Sequence, residues 1–192
     1  LPRLVAQLNE YQPTFLASYP KMLSLLAEEQ DAGRLKIDVM RLWSGGECLT
    51  PDAGAAIERT FGCPLTNEYG ASECMSIAFG CREGWLHVNA DWVLLEPVDR
   101  DHCPTPSGER SHTVLLSALA NRVQPIIRYD LGDCIVAKPD RCDCGNPLPA
   151  IRVEGRCDDV LLVRGTDGSV VRLLPLALTT VVEEATHEHR FQ

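Results

Sequence analysis

From residue 13 to residue 69 the sequence alternates short apolar runs with helix-patterned stretches, and few architectures accept that order. Residues 14–19, 39–43 and 64–69 read as strands, the first of them a buried one. Ahead of them, Leu4, Leu8 and Tyr11 fall on one helical stripe that Pro13 ends. After the first run, Pro20 stands at a first helical position, Met22, Leu25 and Leu26 share a face, and Gly33 lies past the end. After the second, Thr50-Pro51-Asp52 has the form of a helix start: a capping hydroxyl, a proline with no N–H to leave unpaired, and an acid at the positive end of the dipole. Ile57 and Phe61 give this helix its apolar face and Gly62 its end. Strand–helix–strand–helix–strand needs crossover connections, so a parallel sheet is expected. Ligands of such sheets gather at the carboxyl ends of the strands. Ser44-Gly45-Gly46-Glu47 and Tyr69-Gly70-Ala71-Ser72-Glu73 both fall at predicted strand ends and could face one pocket.

From about residue 85 the texture changes. Runs at 86–93, 113–116, 126–129, 134–137 and 160–163 are short, β-like and separated by turn residues, which predicts a twisted sheet or small barrel. Residues 101–111 read as a surface loop, and Thr166-Asp167-Gly168-Ser169 as a hairpin turn. The expected fold class is α/β: a parallel-sheet subdomain followed by a β-rich, barrel-like one. The 192 residues are 45% hydrophobic and 23% charged, enough for one buried core, or one domain with a small appendage.

Eighteen Lys and Arg against 27 Asp and Glu leave a charge of −9. That excludes a broad nucleic-acid or anionic-membrane surface, since both partners are polyanions. An anionic ligand must then be held by local features: backbone N–H groups, a metal or one Arg. No apolar window is long enough to cross a bilayer, and no basic-then-apolar leader is visible. The first residue is Leu1 rather than Met, so a piece of a longer or processed chain is expected. Nine cysteines, an odd number without a secretory signal, favour a reduced cytoplasmic protein with a few metal-binding thiolates over a disulfide scaffold.

Three segments carry candidate chemistry, and each has a plain alternative. Gly45-Gly46 lets a flat ligand approach the backbone, though a lone Gly-Gly is more often a tight turn. Tyr69 to Glu73 offers an aromatic face, a hydroxyl and a carboxylate, although an exposed loop has the same letters. Arg128-Tyr129-Asp130-Leu131-Gly132-Asp133 ends in a carboxylate able to accept two hydrogen bonds from a sugar diol, or to cap a turn. Taken in order, and followed by Gly155-Arg156-Cys157-Asp158-Asp159, these segments resemble the adenylate-forming (acyl-CoA synthetase, AMP-binding) superfamily. Cys81…Leu86-His87 and Cys142-Asp143-Cys144-Gly145 resemble its phenylacetate–CoA ligase branch. The likeness runs from about residue 10 to residue 165.

The resemblance implies an enzyme: an ATP-dependent ligase that forms an acyl-adenylate and then an acyl-CoA or a carrier-protein thioester. Tyr69 would stack on adenine, with Gly70 beside it, and the backbone of Gly45, Gly46 and Glu47 would border the adenine and acyl pocket. Ser72 would bond the α-phosphate, Glu73 would hold Mg²⁺, Asp133 would bind the ribose hydroxyls, and Arg156 would support the ribose. Residues 1–84 and 85–157 would be the α/β and β-rich parts of the large domain. Asp158 or Asp159 would mark a hinge, with 158–192 the start of a truncated C-terminal region. The implied partners are ATP, a small carboxylic acid of aromatic or apolar character, and coenzyme A or a carrier thiol. A homodimer is admitted.

Two departures stand beside this. A Ser/Thr/Gly-rich phosphate loop is not found, and no lysine follows Lys138 to serve as the family's catalytic lysine. The 192 residues alone are therefore expected not to catalyse adenylation efficiently. Cys81, His87, Cys142 and Cys144 form a three-thiolate, one-imidazole set suited to a closed structural zinc; the plain alternative is buried thiols and a surface His. Cys48, Cys63, Cys74, Cys134 and Cys157 read as packed thiols, and Cys103 with His102 and His112 as a weaker ligand group. Trp43, Trp85 and Trp92 read as core or rim packing, with Trp85 placed to cover the metal. Two rival functions remain: a zinc-stabilised, non-catalytic binding or scaffold module with the same fold, and a small metalloenzyme with catalytic zinc. Four protein ligands argue against the latter.

Overall fold

A computed structural model describes residues 1–118, 120, 122–157, 161–164, 169–173, 181–182 and 185. The chain divides into two compact units, one within Leu1–Glu68 and one from Tyr69 onward. In the first, α1 (Pro2–Tyr11), β1 (Phe15–Ser18), α2 (Pro20–Asp31), β2 (Arg41–Gly45), α3 (Pro51–Phe61) and the start of β3 (Leu65–Ala71) follow in order. β1 pairs with β2 and β2 with β3, both in parallel. The helices pack on a core of Leu23, Leu26, Leu35, Ile37, Leu42 and Ile57.

The start of α3 forms as its sequence predicts. Thr50 Oγ1 accepts the Ala53 N–H at 3.3 Å, Pro51 opens the helix, and Gly62 closes it at φ 65°. In α1 the buried line runs through Val5, with Leu8 packed against the core, while Leu4 and Tyr11 face solvent. The predicted stripe is thus rotated by about one residue. In α2 the buried positions are Pro20, Leu23, Leu26 and Ala27, and Met22 only flanks them. β1 is not a buried strand. Phe15 is 52% exposed, because the strand pairs through β2 and keeps one face to water.

The strands from Cys74 to Leu173 belong to the second unit. β4 (Cys74–Gly80), β5 (Leu86–Val88), β10 (Ala150–Arg156) and β9 (Asp133–Ala137) pair antiparallel in that spatial order. β6 (Val93–Val98), β7 (Thr113–Ala118) and β8 (Ile126–Asp130) form a second antiparallel sheet. The two sheets share a core of Ile77, Val88, Val93, Val114, Leu116, Ile135 and Ile151. The expected run 86–93 is two strands in different sheets, split by a turn at Asn89, whose carbonyl accepts N–H bonds from Trp92 and Val93. β11 (Leu161–Arg164) pairs antiparallel with β12 (Val170–Leu173), as a hairpin requires. Its turn, residues 165–168, lies outside the described residues, as do Asp158 and Asp159. No described helix is long and apolar enough to cross a membrane.

Candidate functional site

β3 does not stop before the tyrosine motif. Tyr69, Gly70 and Ala71 are its last three residues, and Ser72-Glu73 form the turn into β4. Gly70 has a packing reason to be glycine. A Cβ there would overlap the carbonyl oxygen of Met75 on β4 and lie 2.8 Å from its carbonyl carbon. The Tyr69 ring packs against the second unit's core, and its hydroxyl donates to Asp133 Oδ2 at 2.6 Å. Burial first, and then this bond, push the phenol well above its usual range, so it stays a donor.

Asp133 opens β9 and pairs in register with Arg156 at the end of β10. Arg156 Nη1 lies 4.0 Å from Asp133 Oδ1, and Nη2 lies 3.1 Å from where a Cβ on Gly132 would stand. Gly132 adopts φ 70°. A side chain there would be strained and would crowd the guanidinium. Tyr69, Asp133 and Arg156 are therefore one cluster. A second tyrosine–carboxylate pair lies nearby. Tyr129 on β8 is hydrogen-bonded to Glu73, and this bond, with the carboxylate's charge, raises the Tyr129 phenol while Arg156 lowers it. Sequence reasoning gave Tyr129 no role, although it stands in the quoted Arg128–Asp133 motif. Ser72 is exposed beside Glu73.

Gly45, Gly46 and Glu47 lie in the first unit. Gly45 ends β2 and pairs with Glu68. Gly46 adopts φ 80°, and a Cβ on it would sit 2.8 Å from Cε1 of Tyr19. Tyr19, 60% exposed at the end of the β1 segment, thus packs its ring on the bare backbone of this turn. Trp43 Nε1–H donates to Glu68 at 2.6 Å, and Glu47 Oε2 accepts the Lys21 N–H at 3.4 Å.

Cys81, His87, Cys142 and Cys144 converge, with their donor atoms all within 4.8 Å of one another. Cys81 follows β4, His87 is the middle residue of β5, and both other cysteines lie in the loop between β9 and β10. The Cys81 and Cys142 sulfurs are 3.7 Å apart, and Cys144 Sγ is 3.2 Å from His87 Nε2. Two thiolates on one tetrahedral ion with metal–sulfur bonds of about 2.3 Å stand about 3.8 Å apart, so the donors fit such an ion. His87 is fully buried, and its Nδ1 lies 2.9 Å from the Leu148 carbonyl. That bond puts the proton on Nδ1 and leaves the Nε2 lone pair for the cluster. The Asn146 N–H bonds the Cys144 sulfur and, as the largest influence, lowers its pKa, whereas burial raises that of Cys81. Trp85 accepts the Cys81 N–H through its carbonyl, and its ring lies beneath Arg152 at 4.1 Å and Lys138 at 5.1 Å. Trp92 is 60% exposed, against the expected packing role.

Among the described residues, no other group of three or more His, Cys, Asp or Glu offers such convergence, the His102–Cys103–His112 set included. Cys134 is buried and donates to the His112 carbonyl. Burial is the main cause that pushes its thiol up to about 11. Cys48 is exposed rather than packed. Iodoacetamide at pH 8 is therefore expected to label Cys48 and Cys103 well before Cys134, since the thiolate is the nucleophile. Peptide mass spectrometry after graded alkylation checks this order.

The chain thus has a parallel α/β unit, followed by a β-rich unit in which Tyr69 is hydrogen-bonded to Asp133. The chain belongs to the AMP-binding enzyme family, whose pattern matches residues 1–103. It is 24% identical over 133 residues to "Protein CapK" of Staphylococcus aureus, covering 68% of this chain and 28% of that protein. Among solved structures it is similar to 2-hydroxyisobutyryl-CoA ligase in the postadenylation state with R3-HIB-AMP, at TM-score 0.75 and 25% identity. That match covers 91% of this chain and 38% of the other. It is also similar to the anthranilate CoA ligase AuaEII in complex with anthranoyl-AMP, at TM-score 0.71 and 16% identity, over 96% of this chain and 36% of that one. The chain thus spans less than half the length of these relatives.

Proposed function

We propose that this chain is the central portion of an ATP-dependent carboxylate-activating ligase that makes an acyl-adenylate and passes the acyl group to coenzyme A or a carrier thiol. The observation that carries this is the Tyr69–Asp133–Arg156 cluster in a chain of the AMP-binding family. A carboxylate is a poor electrophile because its leaving group would be oxide. Attack of its oxygen on the α-phosphorus of ATP breaks the bond to pyrophosphate and leaves a mixed anhydride, whose AMP is a good leaving group.

In this reading Asp133 takes the ribose hydroxyls and Arg156 braces that carboxylate. Tyr69 offers its ring to adenine while its hydroxyl holds Asp133 in place. Gly45 to Glu47 border the adenine and acyl groups. Ser72 bonds the α-phosphate. Glu73, oriented by Tyr129, is the carboxylate that would hold Mg²⁺; the ion, when bound, supplies positive charge against the triphosphate. Cys81, His87, Cys142 and Cys144 would hold a structural zinc with no open position. The acid is an aromatic or apolar one, as in the phenylacetate–CoA ligase branch. The cysteine and histidine pairs that first suggested that branch support it by their convergence.

Carboxylate-dependent ATP–pyrophosphate exchange, run on the longest product of the source gene, tests the reading. Exchange is expected with an aryl- or alkyl-carboxylic acid, and Asp133→Ala should lower it by about 100-fold or more through lost ribose positioning. Absence of exchange across a broad panel of acids would instead favour the zinc-stabilised binding module.

A further inference from the structure

The metal cluster and the nucleotide cluster occupy opposite ends of the same strands. β4 begins next to Glu73 and ends next to Cys81. β10 begins just after the Cys142–Cys144 loop and ends on Arg156. At the rise of a β-strand the six steps from Ala150 to Arg156 span about 20 Å.

The seam that positions β10 against β5 is short. Its register rests on two pairs, Ala150 with His87 and Ile151 with Leu86. His87 also pairs with Phe79 of β4. One ligand therefore sits in both seams of β5. The loop leading into β10 is held by the same residues: the Leu148 carbonyl accepts the His87 Nδ1–H at 2.9 Å, the Leu148 N–H bonds Asn146 Oδ1 at 3.0 Å, and the Val88 N–H bonds the Pro149 carbonyl at 2.8 Å. Farther along, β10 carries an irregularity. Val153 pairs with Ile135 and Arg156 with Asp133, so Glu154 and Gly155 stand against Cys134 alone, with Gly155 at φ 97°. The ladder is interrupted at this bulge, and a slip of one residue in β10 would turn every side chain along it to the other face. Arg156 would then leave the face it shares with Asp133.

We propose that metal at Cys81, His87, Cys142 and Cys144 sets the register of β10 and so holds Arg156 opposite Asp133 from about 20 Å away. His87 is the positioning residue, acting through the strand and touching no nucleotide. The inference rests on the metal and nucleotide readings above, and its test separates them.

The test is residue-resolved amide exchange on the full chain in four states: zinc-loaded, chelator-stripped, His87→Ala, and His87→Cys with zinc. The reporter is the Cys157 N–H, which bonds the Gly132 carbonyl at 2.8 Å just past Arg156. The controls are the Leu42 N–H on Pro64 in the first unit and the His112 N–H on Val98 in the second. Stripping and His87→Ala should lower Cys157 protection about 100-fold further than they lower the His112 control of the same unit, and leave the first-unit Leu42 control within about 3-fold. His87→Cys, which keeps a closed four-thiolate set, should restore it. AMP affinity should fall by about 10-fold or more with the Cys157 signal and return with it.

Unchanged Cys157 protection without metal overturns the proposal. So does an equal loss of protection at Cys157 and His112, because that is general unfolding of the second unit and not a register effect. A chain that retains no zinc yet protects Cys157 overturns it as well. If the zinc-loaded chain binds no AMP, the nucleotide reading fails, and the amides still decide the register question.

Discussion

Gly70→Ala is expected to destabilise the second unit by about 3 kcal/mol or more, at the upper end for forced overpacking. The added methyl would overlap the Met75 carbonyl oxygen, which is backbone on the neighbouring strand and cannot rotate away. Relief requires β3 and β4 to part just where the Ser72-Glu73 turn joins them. That motion would displace Tyr69 on one side and Glu73 on the other. Thermal unfolding by circular dichroism should show the midpoint fall by roughly 10 °C. A variant that melts like the parent would mean the two backbones have room to separate. The same measurement on Gly54→Ala is a useful contrast. A Cβ there meets only the Leu49 side chain at 3.6 Å, an ordinary contact, and the helix interior gains from losing a glycine.

Cys142→Ser should have an effect of similar size by a different route. Cys142 is buried and stands 3.7 Å from Cys81, so a hydroxyl there forfeits a thiolate ligand and leaves three donors around a site with no water access from that side. Binding free energy of a structural metal is also folding free energy, because the unfolded chain offers no preformed site. We expect zinc content to drop below one equivalent and stability to fall by at least about 3 kcal/mol, as for other losses of a metal site. Elemental analysis beside denaturant unfolding checks both. Full stability with no bound metal would reduce the cluster to packed thiols around a buried histidine. Acid should mimic the variant, since each ligand must shed a proton to bind metal.

How much of this was legible depended on local signals. α3 was legible to the residue, because Thr50, Pro51 and Gly62 act on their immediate neighbours. β10 was missed altogether, although Ile151 and Val153 alternate with Arg152 and Glu154. The charged half of that alternation, followed by a glycine, hid a strand that lies between two others. β4 was missed because only two turn residues separate it from β3, so Tyr69 to Glu73 looked like a loop at a strand end. Phe15 was misjudged because apolar character does not distinguish a strand paired on one side from one paired on both. At the candidate sites, the convergence of Cys81, His87, Cys142 and Cys144 was legible from residue type together with the family resemblance. The contacts that orient the candidate residues were not: the Leu148 carbonyl on His87, the Tyr129 hydroxyl on Glu73 and the Tyr69 hydroxyl on Asp133 are long-range contacts set by sheet register.

His87 and Cys142 enclose a long excursion of chain that carries β6, β7, β8 and β9. Because the excursion leaves and returns at one cluster, and β6 and β7 are held by the shared core, its exposed loops can change in sequence or length without moving the point of return. Selection is then free to rework the loop of residues 99–111, which carries Asp99, Cys103 and their turn, as a surface that differs among descendants of one ancestor. The residues bracketing the excursion are denied that freedom. In a lineage of such chains, variation should therefore pool inside the loop and thin out abruptly at its two anchored ends.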